Sequence, residues 1–210
     1  TLNPAYDIHC TVTDFVPFAE NYAEAVSRSC GGKGINISKM LNELSVSNEA
    51  CIVLGRENAA YFEEYLKNYR SKKFYTNGAI RENITVHSPG KKETRISADS
   101  FSVSPKLFSE VSDYILSRSG SGAIVAFSGR LPRGVEKNAV LKFFERLQNN
   151  GALLSLDSNS FSAEELIRLK PWFIKPNEQE LASLRRISSP EDELRCAEML
   201  HRSGIANVML

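Results

Sequence analysis

From residue 34 onward, short apolar runs of β character alternate with segments whose apolar residues recur at helical spacing. That alternation builds parallel sheets flanked by helices and makes the expected fold class α/β. The strand candidates are Ala50 to Leu54, Ala123 to Phe127, Leu153 to Asp157, Trp172 to Lys175 and Ala206 to Leu210. Their near-continuous apolar character suits a sheet covered on both faces. Between them, Ile35, Ile37, Met40, Leu41 and Leu44 mark one helix, and Tyr61, Phe62, Tyr65 and Leu66 a second. Leu107, Val111, Tyr114 and Ile115 mark a third, and Val140, Phe143, Phe144 and Leu147 a fourth, with Gly151 just beyond it.

Two stretches break this rhythm. Residues 8 to 30 and 80 to 100 carry alternating segments such as Ile84-Thr85-Val86-His87 and Thr94-Arg95-Ile96-Ser97, the latter two separated by the turn formers Ser88-Pro89-Gly90. The second stretch reads as a hairpin. Strands inserted between βα units commonly form a flap, and open α/β sheets bind ligands beyond the carboxyl ends of their strands, so a lid over a crevice is expected. No internal repeat and no linker-like shift in composition marks a separate domain boundary.

Composition removes several function classes. With 26 Lys and Arg against 25 Asp and Glu, a net charge of +1 and a pI near 7.6, the chain has no global field for a polyanion, and no basic patch suggests nucleic acid. No apolar run approaches the ~18 residues of a membrane span, and TLNPAYD lacks a signal-peptide layout, so we expect a cytoplasmic protein with no membrane partner. Cys10, Cys30, Cys51 and Cys196 lie far apart without a CxxC, and His9, His87 and His201 lack HxxxH spacing. Reduced thiols are expected rather than zinc. Residue 1 is Thr rather than Met, which leads us to expect the natural N-terminus upstream.

The strongest local signal is Cys30-Gly31-Gly32-Lys33-Gly34-Ile35-Asn36, a glycine cluster running straight into a helix. Backbone N–H groups, the positive helix end and the Lys33 ammonium can converge there on a phosphate or an oxygen-rich sugar. It is not a Walker A loop, because Gly34 follows Lys33, and Ile37 stands where the dinucleotide fingerprint needs its last glycine. A tight turn with no ligand accounts for the glycines equally well. Asp7, placed where a strand would end, can accept sugar hydroxyl protons or belong to an Asx-type turn around Asn3-Pro4. Arg81 and Asn83 offer a guanidinium for phosphate and an amide for hydroxyls, or a solvated strand edge.

Three polar stretches follow apolar strands: Ser128-Gly129-Arg130-Leu131-Pro132-Arg133-Gly134-Val135, Leu156-Asp157-Ser158-Asn159 and Lys175-Pro176-Asn177-Glu178-Gln179-Glu180. That position brings Asp157, Lys175, Asn177 and Glu180 toward one rim. Asn177 and Glu180, three apart at a helix start, can hold a hydrated magnesium through water, or form a capping box with the same spacing.

TLNPAYD, GGKGIN, RENITV, SGRLPRGV, LDSN and KPNEQEL together resemble the phosphofructokinase B family of ribokinase-like sugar kinases, in the family's order and nearly end to end. The branch most similar acts on phosphorylated ketohexoses and includes 1-phosphofructokinase and tagatose-6-phosphate kinase. The resemblance implies a ribokinase-like three-layer sandwich with a mostly parallel central sheet and a small β lid. Residues 1–210 would then be one incomplete kinase domain, with lid strands near 8–15 and 83–97. By the same resemblance Asp7, Gly32, Lys33 and Asn36 hold the sugar, and Arg81 and Asn83 reach toward it or its phosphate from the lid. Lys175, Asn177 and Glu180 belong to the nucleotide and magnesium side, the last two contacting the metal through water, with Asp157 near them. The family's catalytic aspartate, in a G-A-G-D motif, is expected beyond Leu210.

The implied activity is magnesium- and ATP-dependent phosphorylation of a ketohexose phosphate, foremost fructose 1-phosphate to fructose 1,6-bisphosphate. Tagatose-6-phosphate kinase, a 6-phosphofructokinase of the same family and a non-catalytic sugar-phosphate-binding homologue are the alternatives. The implied partners are the sugar phosphate and ATP, with a homodimer through the lid.

Overall fold

The computed structural model describes residues 1–176, 181 and 189–210. Its contacts divide the chain into two compact units, Thr1–Val103 and Ser104–Leu210.

The first unit contains two sheets. Strands β1 (Ala5–Thr11), β2 (Ala25–Gly31), β5 (Arg81–His87) and β6 (Thr94–Ser97) form one sheet in the order β2-β1-β5-β6. β1 runs antiparallel to β2 and parallel to β5, and β5–β6 is the antiparallel hairpin expected over residues 80 to 100. Strands β3 (Ala50–Gly55) and β4 (Ser71–Thr76) pair in parallel, with helices α1 (Lys33–Glu43) and α2 (Ala60–Tyr65) completing the unit. The core forms where these meet: Tyr6, Ile52, Val53, Leu54 and Phe62 are fully buried, and Tyr6 and Phe62 pack with ring centroids 5.0 Å apart. Burying an aromatic ring of this size contributes roughly 1.5–3 kcal/mol, so Tyr6 anchors the four-stranded sheet to α2.

The second unit is a parallel sheet with flanking helices. Strands β7 (Ile124–Ser128), β8 (Leu153–Asp157), β9 (Phe173–Ile174) and β10 (Asn207–Val208) stand in the order β10-β9-β8-β7. Helix α3 (Pro105–Arg118) starts at Ser104, whose hydroxyl accepts the Leu107 N–H at 3.2 Å, with proline in the first turn where its missing N–H costs nothing. Helix α4 (Lys137–Asn149) buries Val140, Phe143, Phe144 and Leu147, the stripe its helical spacing demands. Helix α5 (Ala163–Leu169) opens with a reciprocal capping box between Ser162 and Glu165. The last described helix spans Pro190–Arg202. β7 departs from the expected two-sided burial: Ile124 is 59% exposed on this outermost strand of the unit's sheet.

Among the described residues no helix is long and apolar enough to cross a membrane.

Candidate functional site

Parallel pairing of β1 with β5 sets the geometry. The register places Asp7 opposite Asn83 and Ala5 opposite Arg81, and Cα partners project their side chains to the same face of a sheet. Asn83, only 4% exposed, donates from Nδ2 to Asp7 Oδ1 at 2.8 Å. Arg81 Nη1 in turn donates to Asn83 Oδ1 at 3.1 Å. The amide is therefore oriented from both sides: its oxygen answers a guanidinium and its nitrogen a carboxylate. A buried amide lacking either partner would bear a desolvation cost of roughly 1–3 kcal/mol, so the pair fixes Asp7 in place. Asp7 lies inside β1 rather than at a strand end, because the strand continues to Thr11. Its carboxylate is held by sheet register, not by an Asx-type turn.

The glycine cluster adjoins this carboxylate. A β-carbon at Gly31 would fall 1.9 Å from Asp7 Oδ2, so only hydrogen fits where β2 passes Asp7. Gly32 has φ 129°, a conformation that L side chains rarely adopt, and it forms the N-cap of α1. The first turn of α1 carries no acidic residue and receives no side-chain cap from the described residues, leaving the helix's positive end to an anion. Lys33 opens the helix and Asn36 lies three residues on, both exposed on its first turn. Cys30 plays no nucleophilic part: it is buried, and that burial pushes its thiol up to about 12.

Two contributors carry no motif. Asn58, in the loop after β3, donates from Nδ2 to Ile80 O at 2.9 Å and accepts from Ile80 N at 2.7 Å. Both backbone groups preceding Arg81 are thereby clamped, and the Tyr6 hydroxyl donates to the Asn58 carbonyl. Its only sequence signal is an Asn in a loop after a strand, which predicts a turn. Arg95 on β6 brings Nη2 to 3.9 Å from Asp7 Oδ1, and as one exposed arginine on a short strand it reads as a solvated edge.

In the second unit the carboxyl ends of the strands form a rim. Ser128 and Asp157 are register partners at the ends of β7 and β8, and Gly129 N donates to Asp157 O at 2.9 Å. The Ser160 hydroxyl accepts the Leu131 N–H at 3.1 Å, tying the two rim loops together. Lys175, exposed just past β9, donates its backbone N–H to Leu156 O at 3.4 Å and so stands beside the half-buried Asp157. Asn177 and Glu180 lie outside the described residues. Among the described residues no group of three or more His, Cys, Asp or Glu is assembled for a metal ion. A carboxylate and an ammonium at one rim do suit phosphate oxygens accompanied by a divalent cation.

Residues 1–210 match the sequence model described as pfkB family carbohydrate kinase. A 1-phosphofructokinase of Haemophilus influenzae is 29% identical over 214 residues, covering all of this chain and 68% of that protein. A tagatose-6-phosphate kinase of Staphylococcus epidermidis is 30% identical over 203 residues, covering 94% of this chain and 65% of that protein. Among solved structures, phosphofructokinase-2 from Escherichia coli in complex with substrates and products superimposes with a TM-score of 0.88 at 24% identity. That likeness extends over 99% of this chain and 70% of the other, and it shows the ribokinase-like α/β fold.

Proposed function

The chain belongs to the pfkB family of carbohydrate kinases, and we propose that the protein transfers the γ-phosphoryl group of ATP to a phosphorylated ketohexose, foremost fructose 1-phosphate. The observation that carries this reading is the hydrogen-bonded series Arg81, Asn83, Asp7 beside the glycine-led start of α1. It joins a hydroxyl acceptor to anion donors on one side of the molecule. The similar 1-phosphofructokinase and tagatose-6-phosphate kinase support the ketohexose class.

In this reading Lys33 and Arg81 neutralise the substrate's existing phosphate, while Asp7 and Asn36 accept and donate to its hydroxyls. Gly32 lets the backbone approach the sugar. Asp157, Lys175, Asn177 and Glu180 serve the nucleotide, the last pair contacting magnesium through water. ATP supplies the phosphoryl group and magnesium offsets its charge. The chain's own residues position the acceptor and stabilise developing charge, which is most of what phosphoryl transfer requires of a protein. The resemblance assigns removal of the hydroxyl proton to the aspartate of a G-A-G-D segment beyond Leu210. The four-stranded sheet acts as the lid that excludes water as a competing acceptor. Its opposite face, where Val26 is 64% and Ile96 58% exposed, supports a homodimer through the lid.

The test is ATP consumption by the full-length protein with magnesium, comparing fructose 1-phosphate, tagatose 6-phosphate, fructose 6-phosphate and ribose at sub-saturating concentrations. Selective turnover of fructose 1-phosphate is expected. Turnover of tagatose 6-phosphate or fructose 6-phosphate instead would move the assignment within the family, and no turnover by the folded protein would move it to a binding role.

A further inference from the structure

We propose that Asn58 is a positioning residue that locks the two halves of the sugar site to each other; the proposal rests on the sugar-phosphate reading above. One half stands on the four-stranded sheet, where β5 brings Arg81 and Asn83 to Asp7. The other is the start of α1, with Gly32, Lys33 and Asn36. This second half belongs to β3. Helix α1 packs against that strand, and Thr1 bridges the two: its carbonyl accepts the Val53 N–H at 3.2 Å, and a β-carbon on Gly34 would fall 2.3 Å from its Oγ1. A ligand that draws contacts from both halves is held in productive geometry only while the sheet and β3 keep one relative position.

Residues 55 to 58 supply that constraint where β3 ends beside the entry to β5. Arg56 N donates to Thr76 O at 3.0 Å, and Glu57 N donates to Gly78 O at 3.3 Å. A β-carbon on Gly55 would fall 2.4 Å from Gly78 O, so the two segments run in direct contact. At Ile80 a side chain takes over from backbone pairing: the Asn58 amide donates to Ile80 O at 2.9 Å and accepts from Ile80 N at 2.7 Å. This is the two-bond exchange that a neighbouring strand would make, and a neutral amide carries the donor and the acceptor it needs. Ile80 is 1% exposed, so water is no substitute for either bond. The Asn58 backbone carbonyl accepts the Tyr6 hydroxyl. Asn58 therefore holds the residue before Arg81 with its side chain and the residue before Asp7 with its main chain. Its effect on the sugar runs through the placement of those two neighbours.

The experiment measures KM for fructose 1-phosphate, tagatose 6-phosphate, fructose 6-phosphate and ATP in the full-length protein and its Asn58→Ala and Asn58→Asp variants, with thermal melts to confirm folding. Asn58→Ala is expected to raise the KM of the sugar phosphate that the wild type uses by about 10- to 100-fold and to leave the KM for ATP within about twofold. Asn58→Asp separates position from mere loss of a side chain. Ionised, its carboxylate keeps the bond from Ile80 N but sets its second oxygen against Ile80 O; protonated, it restores both bonds. Its sugar-phosphate KM, taken relative to wild type at the same pH, is expected to fall severalfold between about pH 8 and about pH 5.5, with no such recovery in Asn58→Ala. An unchanged sugar-phosphate KM in folded Asn58→Ala, or equal rises for the sugar phosphate and ATP, would overturn the positioning role while the sugar-phosphate reading stands. If Asn58→Ala does not fold, the pH course of Asn58→Asp decides: recovery supports the role, and a constant ratio to wild type overturns it. If the wild type turns over none of the three sugar phosphates, both fall together.

Discussion

The Asp7 carboxylate lies against Gly31 so closely that a β-carbon on the glycine would sit 1.9 Å from Oδ2. The glycine is there for the carboxylate rather than for its own backbone, since Gly31 is not among the residues with positive φ. Gly31→Ala should therefore leave the strand intact and displace Asp7. The expected result is a rise of at least tenfold in sugar-phosphate KM with the melting temperature within a few degrees of wild type. Steady-state kinetics and a thermal melt measure both, and an unchanged KM would show that Asp7 does not touch the sugar.

Asn83 and Asp7 should behave as a coupled pair. Hydrogen bonds to charged groups contribute roughly 1.5–3 kcal/mol, and removing one partner leaves the other exposed to its desolvation cost. A double-mutant cycle with Asn83→Ala and Asp7→Ala, read by urea denaturation, should show a coupling energy of about 1–2 kcal/mol. Additive losses would mean the 2.8 Å bond joining the two side chains contributes nothing to the folded state.

What could be read from sequence divides along physical lines. The apolar runs at Ala50, Leu153 and Val140 predict their elements closely, because burial imposes a period that residues cannot hide. β4 escapes notice: Ser71-Lys72-Lys73-Phe74-Tyr75-Thr76 is half polar and relies on pairing with β3 rather than on its own hydrophobicity. The parallel partnership of β1 with β5 is equally silent, since alternation reveals a strand but not its neighbour. Asp7 and Asn83 are each visible in a motif, whereas their bond depends on two strands 76 residues apart in sequence. Asn58 and Arg95 act through contacts with residues distant in sequence, which no local motif announces.

Cys30 makes alkaline stability a test of the glycine-loop packing. Burial raises its thiol from 9.0 to about 12, so between those values the unfolded chain gives up a proton that the folded one retains. Its stabilising contribution is complete below pH 9 and is lost as pH rises toward 12. Urea midpoints across that range should fall for wild type and fall less for Cys30→Val. Equal slopes for the two proteins would place the thiol in water, as would alkylation of native Cys30 by iodoacetamide at pH 8.

Phe144 links core packing to the nucleotide-side rim. It is fully buried, with ring centroids 5.1 Å from Phe127 on β7 and 5.6 Å from Phe161, just past the loop that follows β8. Those two neighbours adjoin the strand ends at Ser128 and Asp157 and the loop carrying Ser160. Phe144→Ala should cost about 3–5 kcal/mol in urea denaturation, because the cavity cannot collapse between the rigid rings of Phe127 and Phe161. The rim loosens before the sugar-side residues of the other sheet do, so in the protein that still folds the KM for ATP should rise more than the KM for the sugar phosphate. Phe144→Leu should lose less stability and recover most of the ATP affinity. A loss below about 1 kcal/mol would deny the cluster its structural role. An equal rise in both KM values would mean that the packing under Phe127 and Phe161 does not set the position of Asp157.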